Sequence, residues 1–281
     1  MKFAVPEEMT VLHALRELSP ESSQNTLRSW IQKGRVTIGG KTALRANALL
    51  VKGQELVVKS KSHFIEQDVK VLFKDEHVIV VEKPEGMLSV ATDFQIRGTL
   101  HDILKRRFHS QRIFPVHRLD RETSGVMVFA YTNAARAGLK KQFAEHTIER
   151  MYAAVIEGAL AEKTGIWESR LAEDDLYFVK STKAESGRIA ITHYQVLHQT
   201  SKFSFLKLRL ETGRKNQIRV HCSEAGHPIA GDKKYGAQGE GPLKRLGLHA
   251  CLLAFEHPVK GKKMTFESPT PEIFYKPFIP K

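Results

Sequence analysis

The chain has 281 residues, of which 44 are Lys or Arg and 31 are Asp or Glu, so its formal net charge is +13. This length is enough for a sizeable core and favours two domains over one. The basic excess argues against a typical small-molecule enzyme and indicates a polyanionic partner, because Lys and Arg that neutralise phosphates release condensed counterions.

The first sixty residues predict a small unit of two helices and two strands. Apolar residues at helical spacing, with Pro20 as a stop, predict the first helix: Val11, Ala14, Leu15 and Leu18. Ser22 or Ser23 can cap a second helix that Gly34 would end, and its apolar residues are Leu27, Trp30 and Ile31. Two short strands follow, at residues 35–38 and 55–58.

The centre of this unit reads Ser-Trp-Ile-Gln-Lys-Gly-Arg-Val-Thr-Ile-Gly-Gly-Lys, and it resembles the S4 RNA-binding domain. The resemblance implies a small α/β domain, residues 1–63, that presents a basic helical surface to folded RNA. The candidate contacts are Arg28, Lys33, Arg35, Lys41 and Arg45. Residues 1–64 contain ten Lys or Arg and five Asp or Glu. The alternative is a solvated basic face without a partner.

Residues 59–66 lose periodicity and predict a short linker to a second domain, residues 64–281. Strands are predicted at residues 69–73, 77–82, 151–156, 189–197 and 203–210, and helices at residues 100–108 and 134–143. The last strand alternates between a buried face, with Leu206, Leu208 and Leu210, and a partly basic face, with Phe205, Lys207 and Arg209. Strands outnumber helices without regular alternation, which predicts an α+β fold with a largely antiparallel or mixed sheet.

The segment Val-His-Arg-Leu-Asp-Arg-Glu-Thr-Ser-Gly places Asp120 between Arg118 and Arg121 in an otherwise apolar strand and turn pattern. Opposite charges within a few Å favour the charged form of a carboxylate, so we expect Asp120 to stay ionised. The alternative is that Asp120 and Thr123 only cap a turn, as Asp and Thr often do.

This segment resembles the His-Arg-Leu-Asp-x-x-Thr-Ser-Gly signature of the RluA-type pseudouridine synthases, which isomerise uridine in structural RNA. The resemblance implies that Asp120 is the catalytic aspartate. It implies a pseudouridine synthase fold, with a central mixed, largely antiparallel sheet, flanking helices and a cleft that holds the nucleotide. It also implies that the target base is flipped out of the RNA stack and that Arg118 takes its place.

Further segments extend the resemblance over nearly the whole second domain. Arg-Met-Tyr-Ala-Ala-Val matches a segment whose tyrosine, here Tyr152, packs against the target base. Glu-Thr-Gly-Arg-Lys-Asn-Gln-Ile-Arg-Val-His contains Arg219, which by resemblance pairs with the catalytic aspartate. Without the resemblance, Tyr152 would be interpreted as an ordinary aromatic residue of a strand, and Arg219 as one partner of a surface salt bridge. Lys215 and Asn216 stand where the family usually has threonine and histidine. The hydrogen bonds that those two residues make in the family therefore do not carry over directly to this site.

The isomerisation breaks one bond to the sugar and forms another, so the resemblance implies no cofactor, metal or nucleoside triphosphate. Three routes stay open for Asp120: attack on the base, attack on the sugar, or abstraction of a sugar proton. The segments 83–88, 231–236 and 248–250 complete the resemblance. The histidines of the C-terminal third lack metal-ligand spacing, so structural or exposed roles are predicted for His193, His198, His221, His227, His249 and His257.

The S4-like unit favours large-subunit ribosomal RNA as the substrate, with tRNA as the alternative target. The alternative classes are a non-catalytic RNA-binding or ribosome-associated protein, and a hydrolase that uses Asp120 on a glycosidic or phosphate bond. Cys222 and Cys251 predict free thiols and a reducing, cytoplasmic compartment. No apolar run approaches the ~18 residues of a membrane span. We expect a monomer whose partner is RNA.

Overall fold

The computed structural model describes residues 2–32, 36–39, 41–43, 45–58, 63–65, 69–92, 95, 97–175, 177–238 and 241–279, and for residues 32, 41, 42 and 63–65 it describes the backbone only. The chain divides into two units, Met1–His63 and Phe64–Lys281. Each unit has a hydrophobic core of its own. Within the described ranges, no helix is long and apolar enough to cross a membrane.

The first unit combines two helices with short strands. Its elements are β1 (Lys2–Ala4), β2 (Met9–Thr10), α1 (Val11–Leu18), α2 (Gln24–Gln32), β3 (Val36–Ile38), β4 (Lys41–Thr42), β5 (Leu49–Leu50) and β6 (Glu55–Val58). One antiparallel sheet has the order β1-β6-β3-β4, and β2 pairs with β5. Both predicted helices and both predicted strands are confirmed, while the other strands, of two or three residues, are too short to show periodicity.

Side-chain caps fix where the two helices begin. The Thr10 hydroxyl accepts a hydrogen bond from the His13 backbone N–H at 3.2 Å, which satisfies a donor that the helix itself cannot pair. The Ser23 hydroxyl accepts in the same way from the Thr26 N–H at 3.2 Å. The predicted apolar stripe of α1 packs into the core of the unit. Gly34, the predicted end of α2, lies outside the described residues.

The second unit is built on one large sheet. Its strands are β8 (Val69–Lys74), β9 (Val78–Lys83), β10 (Phe114–Pro115), β11 (Ser124–Ala130), β12 (Glu149–Glu157), β13 (Thr164–Glu173), β14 (Val179–Ser181), β15 (Arg188–Gln199), β16 (Phe203–Leu210), β17 (Leu248–Glu256) and β18 (Lys263–Glu267). Its helices are α3 (Leu100–Arg107), α4 (Asn133–Ala144) and α5 (Gln217–Glu224), with 3₁₀ helices at Lys233–Tyr235 and Glu272–Phe278.

The sheet has the strand order β14-β13-β15-β16-β12-β17-β11-β9-β8-β7, where β7 is His63–Ile65, while β10 pairs with β11 and β18 with β17. Among the strand pairs whose register the structure describes, β11 with β17 is the parallel one and the others in this sheet are antiparallel. The predicted mixed, largely antiparallel sheet is therefore confirmed. The strands predicted at 69–73, 77–82, 151–156, 189–197 and 203–210 and both predicted helices are present.

The faces of β16 follow the predicted alternation, with one addition. Leu206 and Leu208 are fully buried, whereas Lys207 and Arg209 are exposed. Phe205, which shares the face of the two basic residues, is nevertheless buried because the aromatic side chains of the C-terminal 3₁₀ helix cover it. The basic part of this face is thus limited to the middle and end of the strand.

The prediction of an irregular linker over residues 59–66 is wrong in part. His63–Ile65 form the strand β7, as an aromatic and a β-branched residue in sequence permit. The remaining residues of the predicted linker, 59–62 and 66, lie outside the described residues.

The parallel pair of β11 and β17 comes closest at Gly125. This residue has φ +125° and pairs with Ala250. A Cβ at position 125 would lie 2.2 Å from the backbone oxygen of Ala250, so the strands can approach only because there is none. Next to it, the Ser124 hydroxyl bonds to Nδ1 of His249 at 2.8 Å, and burial lowers the pKa of His249 to about 4, which keeps the ring neutral.

Gly125→Ala should strongly destabilise the protein, because the new methyl group meets backbone and the residue must hold a left-handed φ. We expect the free energy of unfolding to fall by roughly 3 kcal/mol or more. Gly226→Ala is the matched control, since Gly226 also has positive φ (+80°) but has open space where a Cβ would lie, and we expect a loss of about 1 kcal/mol there. Urea denaturation of both variants measures the difference, and equal losses would contradict the close-approach argument.

Candidate active site

Asp120 lies in the loop between β10 and β11, and the backbone on both sides of it is fixed. Before it, the buried hydroxyl of Ser89 donates to the carbonyl of Leu119 at 2.6 Å and accepts from the Leu119 N–H at 3.0 Å. After it, the ammonium of Lys83 donates to the carbonyl of Arg121 at 3.0 Å. The carboxylate therefore projects from a backbone with little freedom to move.

Lys83 has no exposed surface, yet it satisfies three acceptors at once. Its ammonium also donates to the carbonyls of Pro84 at 2.9 Å and Met87 at 2.7 Å. Burial lowers the pKa of Lys83 to about 7, and nearby carboxylates, Glu122 foremost, oppose that effect. Three carbonyl acceptors match the three donors of an ammonium group, so this geometry favours the charged form of Lys83.

Arg219, on α5, is the cation that meets Asp120. Its Nη1 lies 3.3 Å from Oδ2 of Asp120, while its Nε and Nη2 donate to the two carboxylate oxygens of Asp232, each at 2.7 Å. Burial opposes the charge of Arg219, but the hydrogen bonds and charge of Asp232 outweigh it and raise the pKa of the guanidinium above its ordinary value. Arg219 is therefore a fixed and permanently charged partner of Asp120.

The two arginines beside Asp120 in the sequence do not provide its ion pair. Arg121 instead donates from Nε to the carbonyl of Gly86 at 3.0 Å. The side chain of Arg118 is exposed and lines the pocket around Asp120. Neither is within ion-pair distance of Asp120 in the described part of the chain. The expectation that these neighbours hold the charge is thus corrected: the turn points their side chains elsewhere, and Arg219 takes that place.

Asn216 reaches Asp120 as well. Its amide group lies between the Asp120 carboxylate and the hydroxyl of Tyr235. A carboxylate can only accept, so the amide NH₂ faces Asp120, at 3.1 and 2.9 Å from the two oxygens, and the amide oxygen accepts from Tyr235 at 2.9 Å. Position 216, where the resemblance leads one to expect a histidine, therefore places a hydrogen-bonding side chain at the carboxylate.

The backbone of Asn216 is also special. It has φ +53°, a left-handed conformation that Asn adopts more readily than most residues, and it directly precedes α5. The next residue, Gln217, accepts from the Thr212 hydroxyl at 2.8 Å and donates to the carbonyl of Ile191 at 3.0 Å. This buried network ties the start of α5 to β15. Lys215 makes a salt bridge with Glu173 and does not contact Asp120.

Tyr152 lines the same pocket as Asp120, from β12. The register of β12 against β17 shifts between Met151 and Tyr152, so the strand bulges at this point. Burial raises the pKa of Tyr152 to about 12, with Asp120 contributing in the same direction, so the phenol stays protonated. The structure therefore brings together all three residues that the resemblance selected: Asp120, Arg219 and Tyr152.

The pocket combines a charged centre with an apolar wall. Leucine and isoleucine side chains form that wall: Leu119, Leu210, Ile218 and Leu248. Beside the pocket lies a wider cleft of about 560 Å³, which shares Arg118, Asp120 and Tyr152 with it. An apolar wall facing a tyrosine suits a flat base, and a basic entrance suits a polyanion.

Several residues of the site were not assigned from sequence. Asp232 and Tyr235 belong to the segment Gly-Asp-Lys-Lys-Tyr-Gly, which was noted only as completing the resemblance. Lys83 begins the segment 83–88 of the resemblance without an assigned role, and no sequence pattern marks Ser89. The sequence shows only an Asp followed by two lysines at this point, and it does not reveal the partner of Asp232.

The candidate RNA contacts of the first unit are only partly described. Arg28 and Arg45 are exposed. Lys33 and Arg35 lie outside the described residues, and so does the side chain of Lys41.

The C-terminal histidines are engaged with the protein. His221 bonds to Ser169 and Thr192, His227 to the carbonyl of Glu157, His257 to Asp75, and His193 to Glu211, while His198 stacks on Phe205. Among the described residues, no group of three or more His, Cys, Asp or Glu side chains is placed to hold a metal ion. Cys222 and Cys251 are free thiols.

Comparison with known proteins identifies the family. The family described as RNA pseudouridylate synthase matches residues 77–224. "Ribosomal large subunit pseudouridine synthase D" of Pseudomonas aeruginosa is 32% identical, over 92% of this chain and 87% of that protein. The protein of the same name from Xanthomonas campestris pv. campestris is 35% identical, over 92% of this chain and 84% of that one.

The fold is shared with a solved structure, "Human RNA Pseudouridylate Synthase Domain Containing 4", with a TM-score of 0.60, 25% identity, and coverage of 73% of this chain and 89% of that one. The matched residues 77–224 include Asp120, Tyr152, Asn216 and Arg219. Sequence, fold and the assembled pocket agree, and the chain belongs to the RluA-type RNA pseudouridine synthases, isomerases that act on RNA.

Proposed function

We propose that this enzyme converts specific uridines of large-subunit ribosomal RNA to pseudouridine, with Asp120 as its catalytic residue. The observation that carries the assignment to Asp120 is its carboxylate, held by Arg219 and Asn216 at the edge of a pocket that Tyr152 lines. The names of the relatives from P. aeruginosa and X. campestris support the ribosomal target. The net charge of +13 supports a long polyanionic substrate.

The arrangement suits an isomerisation that balances within the nucleoside. The N1–C1′ bond breaks, a C5–C1′ bond forms, and the C5 proton leaves as N1 gains one, so no oxidant or co-substrate takes part. Asp120 serves as nucleophile or base in each of the three open routes, and each route needs it ionised. Arg219 and Asn216 supply charge and N–H donors that favour the ionised form.

Arg118 and Tyr152 have complementary proposed roles. A uracil inside stacked RNA must leave the stack to reach Asp120, at a cost of a few kcal/mol. Arg118 is exposed at the mouth of the pocket, where its planar guanidinium can fill the vacated space. Tyr152 offers a protonated phenol ring on which the detached base can stack while it rotates.

For the first unit, residues 1–63, we propose an S4-like RNA-binding module joined to a catalytic domain, residues 64–281. The order of two helices followed by strands, and the exposed Arg28 and Arg45, support this assignment. A basic module of this kind would add phosphate contacts and favour structured ribosomal RNA over tRNA. We propose that the enzyme acts as a monomer in the cytoplasm, where ribosomal RNA is made.

Asp120→Asn should abolish pseudouridine formation while leaving the fold and RNA binding intact, because the amide keeps the size of the side chain but cannot act as nucleophile or base. We expect activity below about 1% of wild type. Nucleotide-resolution mapping of pseudouridine in ribosomal RNA from a deletion strain that expresses each variant measures this. Asp175→Asn, at an exposed aspartate, is the matched control. Free uracil in the products would instead indicate a hydrolase. Pseudouridine in tRNA and not in ribosomal RNA would show that tRNA is the substrate.

Asn216→Asp should slow the chemical step sharply, because it removes both N–H donors and sets a second carboxylate against Asp120 without changing the size of the side chain. We expect a fall of about 100-fold in the single-turnover rate, roughly 2.7 kcal/mol of barrier, with little change in RNA affinity.

Asn133→Asp, at an exposed helix start, is the control for this substitution. Asn216→His, which restores the family's residue, should change the single-turnover rate only modestly. A wild-type rate for Asn216→Asp would exclude a role for this amide, and a gain of about tenfold or more in Asn216→His would show that Asn216 limits the enzyme.

Replacing Arg28 and Arg45 together by Gln tests the RNA-binding module in the full chain. If both contact phosphates in a duplex region, the slope of log affinity against log salt should become shallower by about 2, since each contact contributes about 0.9. The double variant Arg16→Gln/Lys52→Gln removes the same charge from other exposed positions of the unit. If the slope of log affinity against log salt were equal for the two double variants, Arg28 and Arg45 would belong to a solvated basic face that does not bind RNA.

A further inference from the structure

Arg150, at the start of β12, is a buried cation without a counter-charge among the residues that the structure describes. It is 8% exposed, and its Nη2 donates to the backbone carbonyl of Glu211 at 2.9 Å. Its Nε has no hydrogen-bond partner, and no carboxylate of the described residues forms an ion pair with it. Burying a charge against neutral groups alone is costly, so such a cation is a candidate to receive an anion from outside the chain.

The cleft that Arg150 lines has an excess of positive charge. Besides Arg150, the cleft of about 560 Å³ is lined by Arg118, Arg214 and Lys215, and Asp120 is the acidic residue in its lining. Asp120 is already matched by Arg219, and Lys215 by Glu173. Arg214 donates from Nε to a backbone carbonyl, that of Ile189, at 2.9 Å. Two arginines bonded to neutral carbonyls therefore remain in one cleft.

The pKa shifts around Arg150 agree with an excess of positive charge in the cleft. Burial, together with the charge of Arg150, lowers the pKa of the adjacent His117 to about 3, and its Nε2 accepts from the Val128 N–H at 3.0 Å. His117 is thus neutral and adds no charge of its own to the cleft. Arg214 lowers the pKa of Arg150 in the same direction as burial, as two cations in proximity do. A bound anion would relieve both effects.

The guanidinium of Arg150 is held in place before any ligand arrives. A Cβ at position 213 would lie 2.2 Å from Nη1 of Arg150, so Gly213 allows the group to lie against the backbone. The ring of Phe143 lies 5.8 Å away from the guanidinium carbon. A pre-positioned planar fork matches the geometry of a phosphate group and loses little entropy on binding.

We propose that Arg150 and Arg214 form a phosphodiester subsite that binds the RNA backbone next to the flipped uridine. This inference rests on the proposed function, because Tyr152 is taken to contact the base. Arg150 lies two residues before Tyr152 on the same strand, and both side chains line the cleft. A nucleotide whose base packs on Tyr152 therefore has a backbone phosphate within reach of Arg150. The subsite fixes the strand while Asp120 acts on the nucleoside.

The test compares wild type, Arg150→Gln, Arg150→Lys and the control Arg188→Gln, an exposed arginine outside the cleft. The probe is an unmodified transcript of large-subunit ribosomal RNA, with affinity measured over a range of salt. We expect the salt slope to become shallower by about 0.7 to 0.9 in Arg150→Gln and to stay unchanged in Arg150→Lys and Arg188→Gln. If Arg150 only braced the Glu211 loop, both Arg150 variants would lower the melting temperature and neither would change the slope, which overturns the proposal.

A second measurement takes its main result from wild type alone. In a short RNA around the uridine mapped in vivo, each flanking phosphate is replaced in turn by an uncharged methylphosphonate. For wild type, the methylphosphonate at one linkage should lower RNA affinity more than at any other. For Arg150→Gln, the methylphosphonate at that same linkage should cause no further loss of affinity. Equal effects at every linkage would overturn the subsite. Pseudouridine formed by wild type in the same reactions reports separately on the proposed function.

Discussion

One guanidinium group, that of Arg219, joins the carboxylate of Asp120 to the rest of the second unit. Two of its nitrogens are committed to Asp232, itself almost fully buried, and the third faces Asp120. A buried cation is stable only when its geometry is good and its donors are satisfied. The position of Asp120 therefore depends on three segments meeting correctly: its own loop, the helix α5 and the turn that carries Asp232.

The same helix start supplies a second hold on Asp120. Asn216 precedes α5 and Arg219 lies in its first turn, so one rigid element carries an amide and a guanidinium to one carboxylate. Donors that are already oriented need no rearrangement when charge develops, which is how enzymes gain most from electrostatics. The network of Gln217 behind them keeps α5 against β15. Position 216 can therefore differ from the family's histidine as long as a donor remains there.

The sequence was most informative for residues that lie in recognisable segments. It was least informative for residues whose role depends on a contact that only the fold creates. The segment around Asp120, the Tyr152 strand and the Arg219 segment were all found, because these residue types in that order are specific. The prediction that Arg118 and Arg121 pair with Asp120 was wrong, because a turn points adjacent side chains in different directions. The helix α5 was not predicted, because its apolar stripe is interrupted by buried polar residues such as Gln217 and His221. Asp232 and Lys83 could not be assigned, because their contacts depend on how loops fold back and not on a sequence pattern.

The parallel pairing of β11 with β17 also joins strands that are made at very different times during synthesis. Ser124 and His249 are 125 residues apart, and Asp120 and Arg219 are 99 apart. Contacts of such separation form only after long loops close, so they arise late and make folding slow. A ribosome that is still synthesising the C-terminal third holds a chain with its Asp120 loop already made but without the strand that completes the sheet beside it. The sheet around Asp120 is therefore complete only once β17 has been synthesised.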